Sequence, residues 1–135
     1  MVVNDIKGWH MLLVDDEPDN IEVVAESLEY YGIIVTTATN GAEALESLEQ
    51  ELPDLVLMDL SMPVLDGWAT LRRIRNDERL QTLKVIALSA HAILGDKEIA
   101  LEVGFDGYIT KPVNVPTLVE DIKHALNAAL QKRGE

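Results

Sequence analysis

Five short apolar runs, each followed by a stretch with helical apolar spacing, constrain the fold of this chain more than any other feature. The runs lie at 9–14, 33–38, 55–59, 84–88 and 107–110. Their length and their β-branched and Leu content are those of strands, the central ones buried on both faces. Between them, Ile21, Val24, Ala25, Leu28 and Tyr31 form a helical stripe opened by Pro18 and closed by Gly32. A second stripe, through Ala44, Leu45 and Leu48, starts at Asn40-Gly41 and stops at Pro53. Trp68, Leu71 and Ile74 mark a third helix from Asp66-Gly67 to Asn76, and a fourth runs over 96–103 and is closed by Gly104. Leu118, Ile122, Ala125, Leu126 and Ala129 stripe the last.

Strands alternating with helices predict a parallel sheet with right-handed crossovers and helices on both faces. With five such units the expected fold is α/β, a flavodoxin-like (βα)5 doubly wound sheet of strand order 2-1-3-4-5 in a single domain. The domain is expected over 9–131, with tails at 1–8 and 132–135. That order carries a consequence for chemistry, because ligands of open α/β sheets bind at the carboxyl ends of the strands. It gathers Asp15 and Asp16 after the first strand, Asp59 at the end of the third, Ser89 after the fourth and Lys111 after the fifth along one rim.

Carboxylates brought together this way repel one another, and only one strand-end cation, Lys111, opposes them. A hard divalent ion with oxygen ligands would supply the missing charge, Mg2+ first and Mn2+ in its place. Such an ion shares its shell readily with phosphate oxygens. The cluster thus suggests phosphoryl chemistry with Asp59 as a carboxylate nucleophile, a reaction that needs neutralised oxygens more than a general base. The histidines are scattered to match: His10 flanks a strand, His124 lies on a helix face and His91 falls near the mouth of the rim.

Other functions find little support. The net charge of −13, from 24 acidic and 11 basic residues, repels nucleic acid, and Arg72-Arg73-Ile74-Arg75 reads as the solvated face of a helix. No apolar run approaches the ~20 residues of a membrane span. The first eight residues lack the pattern of a secretory signal, and the absence of cysteine fits a reducing compartment, so a cytoplasmic protein is expected. There is no GK[ST] phosphate loop, G-x-G-x-x-G, H-E-x-x-H or G-x-S-x-G. Position 61, two beyond Asp59, holds Ser where haloacid-dehalogenase-type phosphatases carry a second aspartate.

With these residues assembled, the chain resembles a receiver domain of the response regulators of two-component signalling, over about residues 9 to 130. The resemblance is carried by Asp15-Asp16, by Asp59 with Met62-Pro63 and Asp66-Gly67 behind it, by Ser89-Ala90 and by Lys111-Pro112. It implies that Asp59 accepts a phosphoryl group from a phosphohistidine on a sensor histidine kinase or a histidine phosphotransfer protein. Asp16, Asp59 and the Ser61 backbone carbonyl would hold Mg2+ directly, and Asp15 through water. Lys111 would pair with the phosphoryl group and Ser89 would hydrogen-bond it. Tyr108 would swing inward in response, changing the face of the fourth helix, fifth strand and fifth helix for a downstream protein target. A cis Lys111-Pro112 bond is common in such domains.

On this reading the protein is not an enzyme, catalysing only its own phosphoryl uptake and loss. The competing reading is a metal-dependent phosphotransferase or phosphatase on the same fold. Simpler roles stand beside the functional ones: Asp15 or Glu17 reads as an N-cap before Pro18, Ser89 as a cap of the helix after it, and Tyr108 as an ordinary strand aromatic. Ile93, Leu94, Ile99 and Leu101 supply more apolar surface than one buried stripe needs, which suggests a partner or dimer face.

Overall fold

The computed structural model describes residues 5–62, 64–90 and 96–132. Strands β1 (His10–Val14), β2 (Ile34–Ala38), β3 (Leu55–Asp59), β4 (Val85–Ser89) and β5 (Gly107–Thr110) alternate with helices α1 (Pro18–Tyr30), α2 (Gly41–Gln50), α3 (Gly67–Asn76), α4 (Asp96–Val103) and α5 (Leu118–Lys132). All pairings are parallel, in the order β2-β1-β3-β4-β5. This is the expected flavodoxin-like sheet. A 3-10 turn at Val115–Thr117, containing Pro116, leads into α5 and was not anticipated.

Burial explains which runs became central strands. Every residue of β3 and β4 is buried, whereas β2 alternates poorly and leaves Ile34 61% exposed, as an edge strand can. Two cores result. On one face Leu12, Val14, Val56, Met58 and Ala87 meet α2, α3 and α4 through Leu48, Leu71, Ile74 and Ala100. On the other, Met11, Leu13, Leu57 and Leu88 meet α1 and α5 through Val24, Leu28, Ile122 and Leu126. Each fully buried Leu or Ile stabilises the fold by about 1.5–3 kcal/mol.

Local chemistry sets the helix ends. Asn40 accepts a hydrogen bond from Glu43 N at 2.9 Å, and Glu43 Oε1 reaches back to Thr39 N at 2.8 Å. Asp66 caps α3 through Ala69 N at 2.8 Å. Gly32, at φ +100°, closes α1 in a conformation few other residues adopt.

Two expectations need correction. Ile6, assigned to an N-terminal tail, is fully buried against the α1 and α5 face, with Gly8 N bonded to Gly32 O at 2.9 Å. The packed body therefore begins before residue 9. Arg75, assigned to a solvated helix face, turns inward while Arg72 and Arg73 stay exposed. Its guanidinium donates to Gly104 O (2.8 and 3.1 Å), to Leu83 O (2.6 Å) and to Asp106 Oδ2 (3.0 Å). The buried Asp106 carboxylate also accepts Val85 N at 2.8 Å. These contacts tie α3 to the amino ends of β4 and β5, so the arginine satisfies carbonyls that no strand or helix pairs.

Candidate functional site

The carboxyl ends of β1, β3, β4 and β5 meet at one rim, and the expected residues occupy it. Asp15 follows β1 and is 1% exposed; Asp59 ends β3 and is 4% exposed. The Lys111 ammonium lies 3.0 Å from Asp15 Oδ2 and 3.2 Å from Asp59 Oδ2, joining residues 44 positions apart. The Lys111-Pro112 bond is cis, and Lys111 N donates to Ser89 O at 2.7 Å, so the loop after β5 is seated on the end of β4. Ser89, buried, is the last residue of β4.

The loop after β3 is pinned as tightly. Ser61 N donates to Asp59 Oδ1 at 3.2 Å, Gly67 N bonds Leu60 O at 3.1 Å, and Gly41 N bonds Leu65 O at 3.1 Å. Gly67 is required by close approach, because a Cβ there would overlap the Asp59 carbonyl oxygen. Val64 in this loop, 83% exposed, has φ +70°. Pro63 and His91 lie outside the described residues, as do Ile93 and Leu94.

Burial raises the Asp59 carboxyl above its ordinary value, with the Ser61 N–H and the Lys111 charge working the other way. For Lys111, burial would lower the ammonium, but hydrogen bonding and charge from Asp15 and then Asp59 overcome it and the group is raised. The lysine is held firmly as a cation, while the aspartate bears a desolvation cost that its partners do not fully offset.

Asp16 is exposed, and its carboxylate groups with those of Asp15 and Glu17, one oxygen of each lying within 4.8 Å of the others. Glu17 occupies the N-cap position of α1 without a side-chain capping bond, so that expectation holds for its place and fails for its hydrogen bond. Oxygen donors dominate this rim, and among the described residues Lys111 is the cation that contacts it. Four carboxylates against one ammonium leave negative charge to be neutralised. The residues present therefore fit a hard divalent ion such as Mg2+ or Mn2+.

Tyr108 stands opposite Ala87 in β5, two residues short of Thr110, which pairs with Ser89. It borders a cavity of about 620 Å3 between α4 and α5, lined also by Lys97, Leu101, Phe105, His124 and Ala125. Ile99 is 51% exposed on α4. The other histidine, His10, is taken up at the opposite end of the sheet by Glu51 (3.0 Å) and Thr36 (2.7 Å). No helix among the described residues is long and apolar enough to cross a membrane.

Comparison with known proteins gives a consistent result. Residues 11–123 match the family model described as the response regulator receiver domain. The polar-differentiation response regulator DivK of Brucella anthropi is 34% identical over 119 residues, which is 88% of this chain and 97% of that protein. The chemotaxis response regulator CheY4 of Vibrio cholerae superposes with a TM-score of 0.82 at 27% identity, covering 89% of this chain and 100% of that one. The receiver domain of the sensor histidine kinase PA1611 of Pseudomonas aeruginosa, solved with a magnesium ion coordinated in the active-site cleft, superposes with a TM-score of 0.79 at 36% identity, covering 88% of this chain and 98% of that one.

Proposed function

This chain belongs to the response regulator receiver domain family of two-component signalling, and from that premise we propose that Asp59 is its phosphoacceptor. The donor is a phosphohistidine on a sensor histidine kinase or a histidine phosphotransfer protein. One observation carries the reading: the buried Asp59 carboxylate at the open end of the central strand shares a single ammonium, that of Lys111, with buried Asp15.

In the reaction, an Asp59 carboxylate oxygen attacks phosphorus in line with the P–N bond of the donor. The new O–P bond forms as the P–N bond breaks, and the imidazole leaves with the bonding pair and takes a proton from solvent. Lys111 pairs with one phosphoryl oxygen and the Ser89 hydroxyl hydrogen-bonds another. Asp16, Asp59 and the Ser61 carbonyl would hold Mg2+, with Asp15 acting through water; Mn2+ would suit the same donors. When bound, the ion supplies positive charge that offsets the clustered carboxylates and the incoming phosphoryl oxygens.

Phosphorylation adds about two negative charges to the rim. Ser89 is drawn toward them, and Tyr108 moves into the space beside β4. The face of α4, β5 and α5 is thereby repacked, and a downstream protein reads the shifted population. The chain turns over no external substrate and works in the cytoplasm, by protein contact and without binding nucleic acid or membrane.

Incubation with Mg2+ and a small-molecule phosphodonor tests the assignment. The parent should acquire one acid-stable, base-labile phosphoryl group, and Asp59→Asn should acquire none. A label surviving in Asp59→Asn would put the acceptor on another residue.

A further inference from the structure

Glu17 is grouped with the rim carboxylates, but none of the roles assigned above falls to it. It sits at the first position outside α1, where a side chain ordinarily caps the helix, yet it forms no capping bond. Pro18 behind it has no N–H to satisfy. Its own backbone N–H donates to Asp15 Oδ1 at 3.0 Å, fixing the residue against the buried aspartate. A carboxylate oxygen of Glu17 lies within 4.8 Å of one from each of Asp15 and Asp16, although the side chain is exposed and free to point into water. Lys111 contacts Asp15 of the three, and among the described residues no ion pair reaches Asp16 or Glu17, so a further cation would relieve their mutual repulsion.

We propose that Glu17 helps to hold the divalent ion, its carboxylate accepting hydrogen bonds from metal-bound water on the solvent side of the site. The inference rests on the receiver reading above. A small hard ion keeps several of its waters, and exposed Glu17 offers a charged acceptor to one on the solvent side, as buried Asp15 would to one on the inner side. Glu17 is then a positioning residue for the water shell, and it sets how tightly the empty site takes up metal before any phosphoryl group arrives.

Calorimetric titration of the unphosphorylated chain with MgCl2, and separately with MnCl2, reads this directly. Glu17→Gln should weaken both ions about threefold to tenfold, the effect of removing one nearby charge in a largely aqueous setting. Glu22→Gln, which removes a charge of the same sign one turn along the exposed side of α1, should leave both affinities within twofold of the parent. Affinities unchanged in Glu17→Gln, or weakened equally in Glu22→Gln, would overturn the proposal, the second result showing a diffuse field. Asp16→Asn separates the two readings. It should abolish binding, and parental affinity in that variant would remove the metal site itself. Thermal melts of each variant without metal confirm that the fold is kept.

Discussion

Arg75, half-buried, and the buried Asp106 form an ion pair of 3.0 Å whose members lie 31 positions apart, and it closes the end of the sheet remote from Asp59. Removing either partner takes the opposite charge from the other. Arg75→Ala takes the cation from a buried carboxylate and a donor from three backbone carbonyls; Asp106→Ala takes the anion from the guanidinium and an acceptor from Val85 N. Each should cost about 3–5 kcal/mol. The double variant should cost less than their sum, as measured by urea unfolding. Additive losses would show that the two side chains act independently.

Asp59→Asn should stabilise the metal-free chain at neutral pH. Because burial raises the folded carboxyl above its ordinary value of 3.8, the folded chain binds that proton more tightly than the unfolded one. Stability contributed by this group is therefore greatest where it is protonated and falls as pH rises from that ordinary value through the raised one. The gap between Asn variant and parent should open across that window and then stay level. Saturating Mg2+ should narrow it by binding the parent more tightly. Unfolding curves across acidic to neutral pH measure both effects; a parent that gains on the variant as pH rises would contradict the account.

Gly67→Ala should disturb fold and chemistry together. The added methyl meets the Asp59 carbonyl and the Leu60 backbone, neither of which can rotate away. A loss of about 1–3 kcal/mol is expected from such overpacking. Phosphorylation by a small donor should slow under conditions where the variant is fully folded. Wild-type rates would mean that the β3 end tolerates the shift.

Ser89→Ala should separate acceptance from response. Asp59 and Lys111 remain, so the acyl phosphate should still form, slowed by up to about a hundredfold for loss of one donor to the transferring oxygens. The aromatic signal of Tyr108 should no longer change on phosphorylation. Amide shifts on adding beryllofluoride give the same readout residue by residue, and a parental response around Tyr108 would break the proposed link.

Val64 gives a prediction of opposite sign. A β-branched residue at φ +70° carries about 1–2 kcal/mol of backbone strain. At 83% exposure its side chain recovers little of that by packing. Val64→Gly should stabilise the chain by about 0.5–1 kcal/mol after allowing for the greater freedom of glycine when unfolded. Equal or lower stability would show that the loop holds this conformation without strain.

What could be read from the amino acids alone depended on how local the cause was. The strands and helices were legible because apolar spacing and residues such as Pro18, Gly32, Asn40 and Asp66 act within a turn of their own position. Asp59, Asp15 and Lys111 were legible because topology alone brings strand ends together. Arg75 was not, since it differs from exposed Arg72 and Arg73 only in what it reaches, and its main partners are backbone carbonyls. Ile6, a single apolar residue between Asp5 and Lys7, offered no periodicity to mark it as core. Glu17 was visible beside the acidic pair, but its place before Pro18 suggested a capping bond that the backbone geometry does not form.

The opposed placement of the Arg75 network and the Asp59 cluster has a consequence for how such a chain can diversify. Strands of four or five residues put roughly 15 Å between the two ends of the sheet. Most of the side chains that clasp the amino ends of β4 and β5 are thus not the ones that gather at the carboxyl rim. Substitutions at the Asp59 rim need not erode the clasp at the other end, and a more robust scaffold can be bred by strengthening the clasp while the rim is left as it is.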